Sequence, residues 1–265
     1  MNSMKTLAYM ETRKLTRFLD AQHAVVASIQ EVAVDFLSFH ADTLPEAGET
    51  TTVCLLIGTE RGFCGDFNQA LLRHLELVMD TQSASKSMLI AVGRKLCAML
   101  EDDARVKARI AGVSVVEEVT VVLGQIVEEL SILQAQHGML TVYGLYHSGD
   151  AGVVTHRLLP PFQRLLQEPR RNSHPPLLNL SPGRFLVELT EHYLFAALNT
   201  LLYTSLMAEN RDRVAHLERA TRHLDDELNE LARQCQALRQ EEIIEEIEVI
   251  LLSARSLEES SRERQ

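Results

Sequence analysis

Residues 58–68, GTERGFCGDFN, set three glycines, two carboxylates and a thiol directly after an apolar run, VCLLIG. Two chemistries would use such a set. The first is phosphate binding, where glycines let the backbone approach a pyrophosphate at a helix N-terminus. That fingerprint is GxGxxG, whereas Gly58, Gly62 and Gly65 give GxxxGxxG, with Glu60 and Asp66 inserted to repel an anion. No Lys-Ser/Thr pair follows the last glycine, so the P-loop pattern fails as well. The second chemistry is a thiolate at Cys64, activated by a helix dipole. Catalysis there needs a base, and the spacing marks out no particular His. The stretch instead reads as a tight strand-to-helix turn, with Cys64 as a small junction residue and Asp66 as an N-cap acceptor.

Other constellations are equally sparse. The ten histidines are scattered, HExxH is absent, and Glu191-His192 has no second His at a metal spacing. Cys54, Cys64, Cys97 and Cys235 form no CxxC pair and no zinc-finger spacing, which suits reduced thiols. No catalytic residue, metal or cofactor is therefore expected. A formal net charge of −11 argues against nucleic acid, whose phosphates need clustered Lys and Arg. It leaves open a protein partner with basic patches. The run Glu241, Glu242, Glu245, Glu246, Glu248 reads either as a solvated helix face or as a contact for such a partner. No run reaches the roughly 18–20 apolar residues of a membrane span, and no signal peptide opens the sequence. Membrane association is expected only through partners.

The elements that must position these residues are mostly helical. Apolar residues make up 46% and aromatics only 5% of 265 residues, a mix leaning to Leu/Ala/Glu/Arg helices. Residues 1–44 read as an N-terminal coiled-coil helix, with a seam at Met4, Ala8, Leu15, Phe18, Val25, Ile29, Val32, Phe36 and Phe39. Glu11 and Gln22 interrupt it, and Pro45 and Gly48 end it. No N-cap precedes it.

Residues 51–160 alternate strands and helices, predicting a Rossmann-like α/β domain with a mostly parallel sheet. The strands are TTVCLLIG, SMLIAVG, GMLTVYGLYH and VVTHRLL; the helices span 67–81, begin at Lys95, and span 117–136. Residues 161–183 read as a Pro-rich linker whose Arg164, Arg170 and Arg171 suit a solvated loop better than a binding patch. Residues 184–260 contain no proline or glycine, a helix of about 110 Å if continuous. Its heptad seam runs Val214, Leu217, Thr221, Leu224, Leu228, Leu231, Cys235, Leu238, then slips to Ile243, Ile247, Ile250, Ala254 and Leu257. The two terminal helices are expected to pair as an antiparallel coiled coil projecting from the α/β body.

Three stretches together resemble the gamma subunit of F-type ATP synthases, the central rotor stalk. MKTLAYMETRKLTRF (4–18) is similar to the family's N-terminal helix. Glu60, Arg61, Gly62, Cys64, Gly65 and Asn68 match its strand-to-helix junction, with Phe63 in place of Leu. The segments 205–221 and 239–254 resemble its C-terminal helix. Departures occur at Ile244, Val249 and Ser253, where the family usually carries Thr, Glu and Gly; Glu246 is kept. These departures suggest the alternate, sometimes sodium-linked, branch. Family members usually carry about twenty residues before the Met-Lys pair, some 30 Å of helix. A start site placed too late and a shortened, impaired copy both fit that difference.

The resemblance implies a non-catalytic, mechanical subunit on the cytoplasmic face of the cell membrane. Its partners would be the alpha and beta subunits, the epsilon subunit and the c-ring. It would carry rotation between c-ring and alpha–beta ring during ATP synthesis or hydrolysis. Met4, Lys5, Arg13, Lys14, Arg239, Gln240 and Glu246 would contact the alpha–beta ring. Arg61, Gly62, Cys64, Gly65 and Asn68 would shape the foot domain. A small-molecule-binding α/β domain dimerised by its coiled coil is the rival reading, and an inactive paralogue a third.

Overall fold

The computed structural model describes residues 2–44, 50–81, 87–168 and 172–262. Pro45, Gly48, Arg170 and Arg171 lie outside the described residues, as do the side chains of Ala254 and Leu257. The elements are α1 (Asn2–Leu37), β1 (Thr51–Ile57), α2 (Phe67–Thr81), β2 (Met88–Val92), α3 (Arg94–Met99), β3 (Val106–Ile110), α4 (Val119–His137), β4 (Leu140–His147), β5 (Val153–Leu159) and α5 (Pro182–Arg262).

The sheet order is β3-β2-β1-β4-β5. All pairs are parallel except β4 with β5, where Tyr143 stands beside Arg157. β1 is buried on both faces from Val53 to Ile57, which is why it reads as an unbroken apolar run. β3 was not expected from the sequence. Val106, Ala108 and Ile110 point inward while Lys107 and Arg109 face out, an alternation suited to a sheet edge rather than to a central strand.

Helices cover both faces of the sheet. Val53, Leu55 and Ile57 join a core with residues of α1, α4 and α5, including Phe36, Leu123 and Leu198. Cys54 and Leu56 face the other way, onto Leu71 and Leu75 of α2 and Leu96 of α3. Fully burying a leucine side chain such as Leu55 or Leu71 contributes about 1.5–3 kcal/mol. α5 lies close to the sheet at Gly144, where a Cβ would collide with Leu201. Ser205 Oγ donates to the Ile57 carbonyl at 3.3 Å.

α1 and α5 run antiparallel, as the two seams imply. Phe18 stacks on Tyr203 with centroids 5.6 Å apart, and Phe36 meets Phe185 at 4.8 Å, so position rises along one helix as it falls along the other. The seam of α1 differs from the expected one by a single position at three points. Leu19, Val26 and Ala33 pack inward, whereas Phe18, Val25 and Val32 stay 44–46% exposed. Glu11 and Gln22, expected as interruptions, are half-buried on the seam itself. α1 is also built into the body of the sheet unit: Leu15, Ala33, Phe36 and Leu37 share one core with β1 and α4. The expected linker also contributes to that core through Phe162, whose ring meets Tyr193 at 4.9 Å.

The chain divides into two compact units, Met1–His216 and Leu217–Gln265, with α5 running through both. In the second unit Leu224, Leu228, Leu231, Leu238, Ile243, Ile247 and Ile250 are all exposed. An ion pair one turn apart, Arg222 with Glu218, and a contact of His223 Nε2 with Glu227 at 3.3 Å lie on its surface. Among the described residues no helix is long and apolar enough to cross a membrane.

Candidate functional site: the loop that grips the long helix

The turn after β1 is held from three directions. Glu60 is buried, and its Oε2 accepts the backbone N–H of Arg94 at 2.9 Å and of Gly112 at 2.7 Å. Its other oxygen pairs with the Arg94 guanidinium at 2.9 Å. Sheets of this winding take ligands beyond the carboxyl ends of their strands. Here the backbone donors after β2 and β3 are occupied by a carboxylate of the protein itself. Asn68 ties the turn back on itself, accepting Thr59 N–H at 3.0 Å and donating to Thr59 Oγ1 at 2.9 Å.

The third hold comes from α5. Arg213 and Glu209, both nearly inaccessible to solvent, form an ion pair one helical turn apart. Glu209 Oε1 accepts the Arg61 backbone N–H at 3.3 Å, and Arg213 Nε donates to the Gly62 carbonyl at 3.3 Å. Arg213 also donates to Asn210 Oδ1 at 2.8 Å. Burial pushes the Glu209 carboxyl upward, while the Arg213 guanidinium beside it and the Arg61 N–H pull it back. Both partners are needed: either one alone would be a buried, uncompensated charge. The pair fixes the loop backbone, which is in a conformation that needs fixing. Phe63 has φ +66°, a left-handed value a bulky residue rarely takes, and Gly65 follows at +62°.

The residues that close the turn are packed rather than reactive. Cys64 is buried against Phe67 and Ala208, with Sγ 3.4 Å from the Gly62 carbonyl. Burial pushes its thiol up to about 12, so it stays a thiol and serves as the small junction residue its position predicts. The Asp66 carbonyl accepts the Ala70 N–H at 2.8 Å, the first bond of α2, while its carboxylate pairs with Arg73 at 2.9 Å. That contact holds the Asp66 carboxyl below its usual range. On the far side, His147 at the end of β4 stacks on Phe67 at 3.6 Å, with Nε2 2.9 Å from the Phe67 carbonyl. Burial lowers its pKa.

Arg61, Gly62, Cys64, Gly65 and Asn68 thus come together, with Arg61 Nε reaching Ser114 Oγ at 3.1 Å. Met4, Arg13 and Lys14 are exposed on α1, and Lys5 is half-buried there. Lys14 pairs with Glu11 at 3.2 Å and Glu117 at 3.3 Å, contacts that raise its pKa. Arg239, Gln240 and Glu246 are exposed in the second unit. Sequence reasoning missed Glu209, Asn210 and Arg213. Their signal was present: five polar residues in succession, ENRDR (209–213), directly after the largely apolar stretch LLYTSLMA (201–208) of the same helix.

A family model described as ATP synthase matches residues 1–257. The chain belongs to the ATP synthase gamma subunit family. No curated protein matches it in sequence. Among solved structures it is similar to a chain of the Tetrahymena thermophila mitochondrial ATP synthase central stalk and c-ring, at 19% identity and a TM-score of 0.62, covering 83% of this chain and 98% of that one. It is also similar to a chain of the Euglena gracilis mitochondrial ATP synthase rotor, at 14% identity and a TM-score of 0.54, covering 92% and 100%. At such identities these likenesses speak for the fold. In this gamma-type, central-stalk chain, the turn after β1 adds a polar hold on the long helix to the apolar packing of Leu198, Leu201 and Leu202.

Proposed function

We propose that the chain is the rotating shaft of an F-type ATP synthase, carrying torque between a membrane c-ring and a catalytic alpha–beta ring. The observation that carries this reading is the grip of Glu209 and Arg213 on the loop after β1. A turning force applied to the sheet passes into α5 through buried, directional contacts rather than through slack surface packing. The shaft needs no bond chemistry of its own. It must bind the nucleotide-site conformers of the ring unequally, because a shaft that bound them equally could not shift their populations.

In this reading the sheet unit seats on the c-ring together with the epsilon subunit, and the second unit of α5 enters the alpha–beta ring. The chain sits at the cytoplasmic face of the membrane, held there by its partners. Met4, Lys5, Arg13 and Lys14 face acidic segments of the ring, giving orientation more than raw affinity. Arg239, Gln240 and Glu246 contact the ring from α5. The test is ATP-driven ion pumping by the assembled complex with and without this chain. Pumping that survives its omission sinks the proposal. Complexes carrying Lys5→Ala with Glu246→Ala probe the contact residues; coupling equal to the parent removes both from the mechanism.

A further inference from the structure

Along the β5 edge of the sheet, the chain folds back after Leu159 and leaves a cleft of about 560 Å³. Tyr143, His156, Arg157, Gln163, Arg164 and Tyr193 contribute to its walls, and no Asp or Glu lines it among the described residues. Two arginines lining one cleft stand out in a chain of net charge −11. Arg157 is half-buried and donates to Gln163 Oε1 at 2.9 Å, yet its Nε is buried without an acceptor among the described residues. That nitrogen is closed to solvent, so a ligand in the cleft would meet Arg157 through the outer edge of its guanidinium. His156 lies 3.0 Å from the Tyr193 hydroxyl; burial lowers its pKa, and the Arg164 charge adds to that effect. The cleft is therefore cationic without relying on histidine.

We propose that this cleft binds a small phosphate-class oxyanion between the Arg157 and Arg164 guanidiniums. Planar guanidinium forks match phosphate oxygens in pairs, which a lysine cannot do. The aromatic rings and prolines around them supply apolar walls, and the volume falls within the range of small-molecule sites. The site lies along the β5 edge of the sheet, apart from the Glu60 turn at the carboxyl end of the central strand β1, and plays no part in the grip on α5.

The test is calorimetric titration of the full-length chain with pyrophosphate at about 0.15 M salt, where diffuse surface attraction is screened. Saturable binding at one site is expected. Arg164→Gln, a change at an exposed position, should weaken it about tenfold or more. Arg157→Gln should abolish it, with circular dichroism checking that the variant folds. Arg233→Gln, an exposed arginine outside the cleft and outside the Glu60 turn, should leave it unchanged. Absence of saturable heat, or affinity unaltered by Arg164→Gln, overturns the proposal. So does an equal loss in Arg233→Gln, which would mark attraction to exposed arginines in general.

Discussion

α5 is one helix in two environments. Between Leu186 and Leu206, residues such as Leu198, Leu201 and Leu202 are almost completely buried against the sheet and α1. In the second unit, Leu224, Leu228 and Leu231 repeat the same three-and-four spacing, yet each remains 44–63% exposed. Heptad spacing specifies a face, not what covers it. The buried stretch stabilises the chain by itself. The exposed stretch contributes to stability only when a partner covers it. Contrasting polar residues make the same point: Arg213 is locked between Glu209 and the Gly62 carbonyl, whereas Arg239 stands in solvent.

The largest effect expected from this contrast is at the buried ion pair. Arg213→Ala strands Glu209 in the core and should cost about 3–5 kcal/mol in urea unfolding of the isolated chain. Arg239→Ala should stay within about 0.5 kcal/mol. A similar cost at both sites would refute the idea that the loop is gripped. Next comes the seam. Leu198→Ala should lose about 2–5 kcal/mol through the cavity it leaves, while Leu231→Ala changes the isolated chain by less than about 0.5 kcal/mol. A large loss at Leu231 would mean that the second unit is covered in the free chain.

A smaller effect separates the sheet unit from the exposed helix through pH. Burial lowers the pKa of both His147 and His156 below the ordinary 6.5. Near and below that value the unfolded chain takes up protons that the folded chain resists, so acid favours unfolding. The stability these two neutral rings contribute is complete above about 6.5 and is lost as pH falls through their lower folded values. Thermal melts between neutral and mildly acidic pH should show this fall, and His147→Gln should flatten it; an unchanged slope in the variant would remove His147 as a cause. The gentlest probe is alkylation. Exposed Cys235 should react readily in the folded chain, while Cys54 and Cys64, pushed by burial to about 11 and 12, stay unmodified by mass spectrometry until the chain unfolds.

Much of this fold was legible because its signals are local. The unbroken apolar run of β1 required burial on both faces, and α2 begins and ends where its spacing predicts, at Phe67 and Thr81. The Gly62–Gly65 turn was readable as backbone geometry, since the inserted carboxylates and the missing lysine spoke against a phosphate loop. β3 escaped notice because an edge strand shows itself only by alternation, and VKARI is five residues long.

By itself, then, the sequence determined that the terminal segments are helices with apolar stripes and that a strand-to-helix turn follows VCLLIG. Tertiary structure alone decided which side of the α1 stripe turns inward, choosing Leu19, Val26 and Ala33 over their neighbours Phe18, Val25 and Val32. Adjacent helix positions differ by about 100° of rotation, so a broad apolar stripe admits either choice until a partner surface selects one. Only the fold could bring Glu209 and Arg213 to Arg61 and Gly62, about 150 residues away in the chain. No local pattern encodes a contact of that separation, because the cost of burying two charges is met only where the loop and the helix assemble.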